Sequence, residues 1–192
     1  MGNKTIVFGA GLSAVLLLSA VVLAQGIGQH GHGHGQAQMH QNHQHDIARM
    51  PGLQGRDTTA EEVGDMAAMF RNHPSLARQV TLLPNGIRTE TSTPDPALRD
   101  ALLRHVIGMI DRVDTGRDPK VRIQSPTLDI IFARRAQIET QIDLTDTGIV
   151  VVQTSTDPEV VAALQTHAAE VSDMAARGMH AVHEAMARRM QQ

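Results

Sequence analysis

His30, His32, His34, His40, His43 and His45 stand in one stretch, QGIGQHGHGHGQAQMHQNHQHDIARM (residues 25–50), with Met39 among them and Met50 at its end. Imidazoles on a flexible, glycine-spaced backbone gather readily around Cu(II), Ni(II) or Zn(II), and thioethers add a preference for the softer Cu(I). Spacings of two and three residues suit chelation by a loop rather than by a rigid frame. No apolar period runs through the stretch. Residues 25–55 therefore read as a disordered His/Met-rich tract, either a chelating arm or a solvated linker. Protonation below the imidazole pKa of about 6.5 would release such a metal.

A second pair of imidazoles lies deeper in the chain. On a helical wheel His105 falls inside the apolar arc of Leu98, Ala101, Leu102, Val106, Met109 and Val113. His167 falls inside the matching arc of Val160, Ala163, Leu164, Ala168, Val171 and Ala175. Two such imidazoles, facing one another, are a start for a copper or zinc site or for axial ligation of a non-covalent haem. Met109, one turn after His105, offers a thioether. The plainer alternative is that each His bonds to strand backbone or to a threonine such as Thr91, Thr93, Thr154 or Thr156. A third constellation is C-terminal. Met179, His183, Met186 and Met190 share one helical face, and His180 lies one turn before His183. Such a stripe suits Cu(I), but it also suits a packed core or a partner helix.

The elements that must position these groups emerge from an internal repeat. Residues 70–116 align without gaps on 132–178, a shift of 62 residues. Phe70 falls on Phe132, Gln79 on Gln141, Leu82 on Leu144, Gly86-Ile87 on Gly148-Ile149, and Asp95-Pro96 on Asp157-Pro158. Ala101-Leu102 falls on Ala163-Leu164, His105 on His167, Asp111 on Asp173 and Gly116 on Gly178. Each unit predicts two strands and a helix. The strands are 76–82 and 87–92, then 138–144 and 149–155, with Asn85-Gly86 and Thr147-Gly148 as hairpin turns. Asp95 and Asp157 are N-caps, followed by Pro at the first helical position. The helices run to about Asp114 and Ala176. Gly116 and Gly178 stand at their C-caps, although Gly178 could instead kink a helix that continues through 169–191. A Thr58-x-x-Glu61 capping box opens a further helix over 58–72, and 128–135 is a shorter helix. His73 has no equivalent, since its counterpart is Arg135. Arg134, Arg135 and the other arginines read as a solvated face. The expected fold class is α+β. Internally duplicated ββα units form one antiparallel four-stranded sheet covered by helices on one face, within a single domain over 56–192.

Composition narrows the function. The 192 residues include no Cys, which excludes a disulfide framework, thiol catalysis, zinc fingers, Fe–S clusters and covalent c-type haem. No Trp or Tyr is available for base stacking, and a formal charge of −3 gives no general attraction for polyanions, so nucleic acid is not an expected partner. No nucleophile elbow, P-loop or dinucleotide fingerprint occurs, and nothing names a reaction. Lys4 and the uncharged run Thr5–Ala24, ending Val22-Leu23-Ala24, read as a secretory signal peptide, or as an uncleaved anchor in the inner membrane through residues 5–24. The expectation is thus an exported, periplasmic or secreted, non-enzymatic metal-binding protein handling copper, with zinc or nickel as alternatives. Its ligands would be the six tract histidines, His105, His167 and Met109, and Met179, His180, His183 and Met186. The alternatives are a periplasmic haem-binding or electron-transfer protein ligated by His105 and His167, and an envelope interaction module that docks a protein partner.

Overall fold

A computed structural model describes residues 50–191, so the N-terminal hydrophobic segment and the six-histidine tract lie outside the described residues. The described chain is α+β, with one antiparallel sheet of four strands in the order β1-β2-β4-β3. The strands are β1 Ala77–Leu83, β2 Gly86–Ser92, β3 Glu139–Leu144 and β4 Gly148–Thr154. Five α-helices accompany them: α1 Ala60–Arg71, α2 Pro96–Thr115, α3 Thr127–Ala133, α4 Pro158–Arg177 and α5 Met179–Met190.

Local chemistry sets most element ends as predicted. The Asp95 carboxylate accepts from the backbone of Ala97 (2.9 Å) and Leu98 (3.3 Å), and Asp157 accepts from Glu159 (2.8 Å). Pro96 and Pro158 occupy the first helical positions, where a missing N–H costs nothing. Gly116 ends α2 in the left-handed conformation, φ +71°. Three expectations shift. The capping box is Thr59/Glu62 rather than Thr58/Glu61, because Thr58 is engaged with the Gly55 backbone. The first hairpin turns on Pro84-Asn85, not on Asn85-Gly86. Gly86 serves the sheet instead. A Cβ there would lie 2.0 Å from the Gln153 carbonyl, and one at Gly148 would lie 2.0 Å from that of Thr91. Finally, the C-terminal helix does not continue α4. It breaks at Gly178 (φ +58°, ψ −140°), a region open almost only to glycine. The packed body also begins earlier than Arg56. Leu53 is wholly buried against Val63 and Ala67, with Met50, Met66, Phe70 and Ile123 around them.

The central strand pair is symmetric. β2 and β4 pair in a register that puts Thr89 opposite Val151, Gly86 opposite Thr154 and Ser92 opposite Gly148. Matching loop bonds close both ends, from Thr93 N–H to the Thr147 carbonyl and from Ser155 N–H to the Asn85 carbonyl, each 2.9 Å. Period-2 alternation then gives the sheet an inner face of Arg78, Val80, Ile87, Thr89, Thr91, Ile142, Ile149, Val151 and Gln153. Each long helix covers the other half's strands. Val160, Ala163, Leu164 and Ala168 of α4 pack with Ile87 and Val80. Leu102, Val106 and Ile110 of α2 pack with Ile149, Val151 and Ile142. Neither ββα unit could bury its own apolar stripe alone, so the two halves are one body. Among the described residues no helix is long and apolar enough to cross a membrane.

Candidate functional site

The sheet and the helices do not close completely on one another. Between them lies a hollow of about 540 Å³, lined by inner-face strand residues, by α1, α2 and α4, by the 119–128 connection and by α5. That volume is in the range of small-molecule and cofactor pockets. Its walls are mostly apolar, and four thioethers, Met66, Met69, Met109 and Met174, stand on them.

Both histidines of the sequence repeat open onto this hollow. His105 is half-buried at the edge of the hollow, and desolvation pushes its pKa down to about 4. Asp65 and Glu62 partly oppose that shift, and His167 adds to it. At neutral pH it is therefore an uncharged imidazole with a free lone pair. His167 lies beside Glu170, with Nδ1 at 3.8 Å from Oε2. Both of those atoms are sealed from solvent and neither has a hydrogen-bond partner among the described residues. The other Glu170 oxygen accepts from Ser125 Oγ at 2.6 Å. Burial alone would raise the Glu170 carboxyl, but His167 and Ser125 outweigh it and hold it below the usual carboxylate range. A carboxylate behind one ring nitrogen is the arrangement that orients an imidazole whose other nitrogen binds a metal. The plainer role expected for these histidines finds no support. The threonine hydroxyls and strand carbonyls do not bond either ring, and Thr91 is taken by Arg78.

Other sequence-selected residues fall elsewhere. Met109 faces the hollow with His105. None of Met179, His183, Met186 and Met190 is among the buried residues of α5, Ala181 and Val182: Met179 and Met186 are half-buried, His183 is exposed and Met190 is 81% exposed. His180 is exposed and contacts Arg177 and Glu184. The stripe is thus not core, and it does not meet His105 or His167. Among the described residues no group of three or more His, Cys, Asp or Glu side chains is placed to hold a metal ion. His73, read as an isolated residue, has a counterpart role after all. Its ring packs under Gly178, with Nδ1 3.3 Å from the Ala175 carbonyl, just as the Arg135 side chain packs under Gly116.

Most arginines, Arg135 among them, do stand at the surface, but Arg112 and Arg78 do not. Arg134 pairs with the α4 cap Asp157 at 2.7 Å. Arg112 is 3% exposed and is fully engaged: Nε and Nη2 grip Glu62 (2.7 and 3.0 Å), Nη1 reaches Asp57 Oδ1 (2.9 Å), and carbonyls of Asp57 and Arg117 take the rest. Arg78 is the opposite case. It points from β1 into the hollow and donates to Thr91 Oγ1 (2.7 Å) and Ser172 Oγ (3.4 Å). Burial draws its pKa down to about 10, with no acidic group acting the other way. One signal in the sequence could have found it. Leu76, Arg78, Val80 and Leu82 alternate on one strand face, and Arg78 is the charge in an apolar row. No family model, no curated protein and no solved structure matches the chain.

Proposed function

We propose that this chain is an exported, non-enzymatic protein that binds a haem-type metalloporphyrin in the hollow, where His105 and His167 would be the residues that hold its metal. One observation carries the reading: two imidazoles without hydrogen-bond partners among the described residues line the same apolar hollow of about 540 Å³. A bare ion needs several ligands within about 2 Å of one point, whereas a porphyrin brings four of its own and asks the protein for one or two. It also fills an apolar space that a lone ion would leave empty. The uncharged state of His105 and the carboxylate behind His167 both favour donation to a metal centre.

The four thioethers around the hollow support a second reading, Cu(I) held by imidazole and sulfur, with the histidine tract as a capture arm. The two readings separate in one experiment on the purified chain, residues 25–192. Added haemin is expected to give a red complex with a shifted Soret band, which His105→Ala abolishes. A protein that stays colourless in haemin overturns the first reading. Calorimetric binding of Cu(I) tighter than that of a glycine- and histidine-rich control peptide would then favour the second.

A further inference from the structure

We propose that the hollow receives a carboxylate borne on an apolar body, and that Arg78 is the residue that takes the carboxylate. The inference rests on the hollow being a ligand chamber, but not on imidazole ligation.

Three observations converge on Arg78. The first is its place. It lies on the inner face of β1, beside Val80 and across from Thr91, where the equivalent position of β3 is the neutral Thr140. Packing does not require a cation there, since the other hairpin closes the same face without one. The second is its partners. A guanidinium has five N–H donors. Two go to the hydroxyls of Thr91 and Ser172, and the other three have no protein acceptor among the described residues. No carboxylate lies within ion-pair distance of it among those residues. The two acids that border the hollow are already committed, Asp173 to Arg177 (2.5 Å) and Glu170 to Ser125 and His167. The third is the contrast with the other enclosed arginine. Arg112 has every donor matched, two carboxylates among the acceptors.

A cation placed under a helical layer without a counter-charge is costly, and a bound anion removes that cost. The planar fork of a guanidinium fits a carboxylate in two parallel bonds, which a point charge does not. Much of the rest of the wall, including Met69, Phe70, Ile110, Val113, Leu128 and Val182, is apolar; Arg188 and Arg189 of α5 also border it, Arg188 paired with Glu184 and Arg189 donating to the Gln124 carbonyl. The ligand must therefore be amphipathic, with one acid group at β1 and a hydrocarbon or aromatic body under the helices. A porphyrin propionate and a free fatty acid both carry that chemistry.

The test compares each acid with its uncharged analogue on the full chain: haemin with haemin dimethyl ester by absorbance titration, and laurate with dodecanol by calorimetry. In the wild-type protein at least one acid is expected to bind about tenfold or more tightly than its analogue, as hydrogen bonds to a charged group would give. In Arg78→Gln that preference should collapse, and Arg78→Lys should restore part of it. The discriminating arm identifies the source of the carboxylate. If neither acid is preferred in the wild type, the proposal fails without recourse to any variant. It fails equally if Arg78→Gln, shown folded by circular dichroism, binds both acids as tightly as wild type. The haem reading is judged separately. Haemin and its ester binding equally, with the Soret shift dependent on His105, would keep that reading and overturn this one. Laurate binding that depends on Arg78, in a protein that ignores haemin, would do the reverse.

Discussion

The two ββα halves use one backbone plan and fill it with different charges. In the first hairpin one cross-strand pair is Arg78 and Thr91, both on the hollow, and the equivalent pair in the second is Thr140 and Gln153, of which Gln153 lines it. On the long helices Arg112 of α2 stands where α4 carries Met174. His105 and His167 hold the same place, yet only His167 has a carboxylate behind it. The C-cap glycines match too, with His73 beneath one and Arg135 beneath the other. What is common to both halves is what the sheet and the helix ends require. What differs is where charge can be matched. The first half anchors α1 to α2 through Arg112, Glu62 and Asp57, and through a two-pronged Arg104–Asp65 contact at 2.9 and 2.6 Å. The second half places Met174 at that position, and its thioether faces the hollow.

Giving the first half what the second half has should break it. Arg112→Met is expected to destabilise the protein by about 3 kcal/mol in chemical denaturation, because Glu62 and the Asp57 backbone lose a matched partner. Met174→Leu, a volume-conserving change, should cost less than about 1.5 kcal/mol. Equal losses from the two changes would refute the division of labour between clasp and hollow.

The next effect is smaller and depends on pH. The folded-state pKa of His105, about 4, lies below its ordinary value of 6.5, so the native state holds fewer protons than the unfolded chain between those values. The His105 contribution is thus complete above pH 6.5 and is lost as pH falls through 4. It should amount to at most about 3 kcal/mol, read as a pH-dependent denaturation midpoint that flattens in His105→Gln. Glu62, drawn down to about 2 mainly by its hydrogen bonds from Arg112, adds a separate loss below pH 4.5. A His105→Gln protein with an unaltered profile between pH 6.5 and 4 would mean that the ring is hydrated in solution.

The smallest contrast is between the two glycines. Gly178→Ala is expected to cost about 2 kcal/mol, since its φ and ψ suit glycine alone and the new Cβ would lie 2.6 Å from His73 Cδ2. Gly116→Ala, in the ordinary left-handed well, should cost about 1 kcal/mol. Thermal melts of both variants order them, and the reverse order would contradict the hinge geometry at Gly178.

Much of the scaffold was legible from local pattern. Asp95-Pro96 and Asp157-Pro158 cap helices because a carboxylate beside free N–H groups and a proline without one need no tertiary help. The strand alternation placed Val80, Ile87, Ile149 and Val151 on one face for the same reason. Local reading failed where two signals were equally good or where a distant chain decided. Thr58 and Thr59 each precede a Glu by three residues, and only the bond to Gly55 selects between them. Asn85-Gly86 resembles a turn, but Gly86 is needed where β2 meets the Gln153 carbonyl of β4. Of the candidate site, His105, His167 and Met109 were named from their helical arcs. Arg78 carries only a weak local signal, a single charge in the apolar row of Leu76, Val80 and Leu82.

Local pattern alone specifies the segments that form strands and helices, the faces they bury and the inward direction of two imidazoles, because side-chain periodicity and capping are properties of neighbours along the chain. Long-range packing, by contrast, sets each helix over the opposite hairpin and leaves a hollow beneath the cover. It also brings both imidazoles and the Arg78 guanidinium, which has no carboxylate within ion-pair distance among the described residues, to the same hollow. Those outcomes depend on how surfaces far apart in sequence match in volume and charge, which no local spacing encodes.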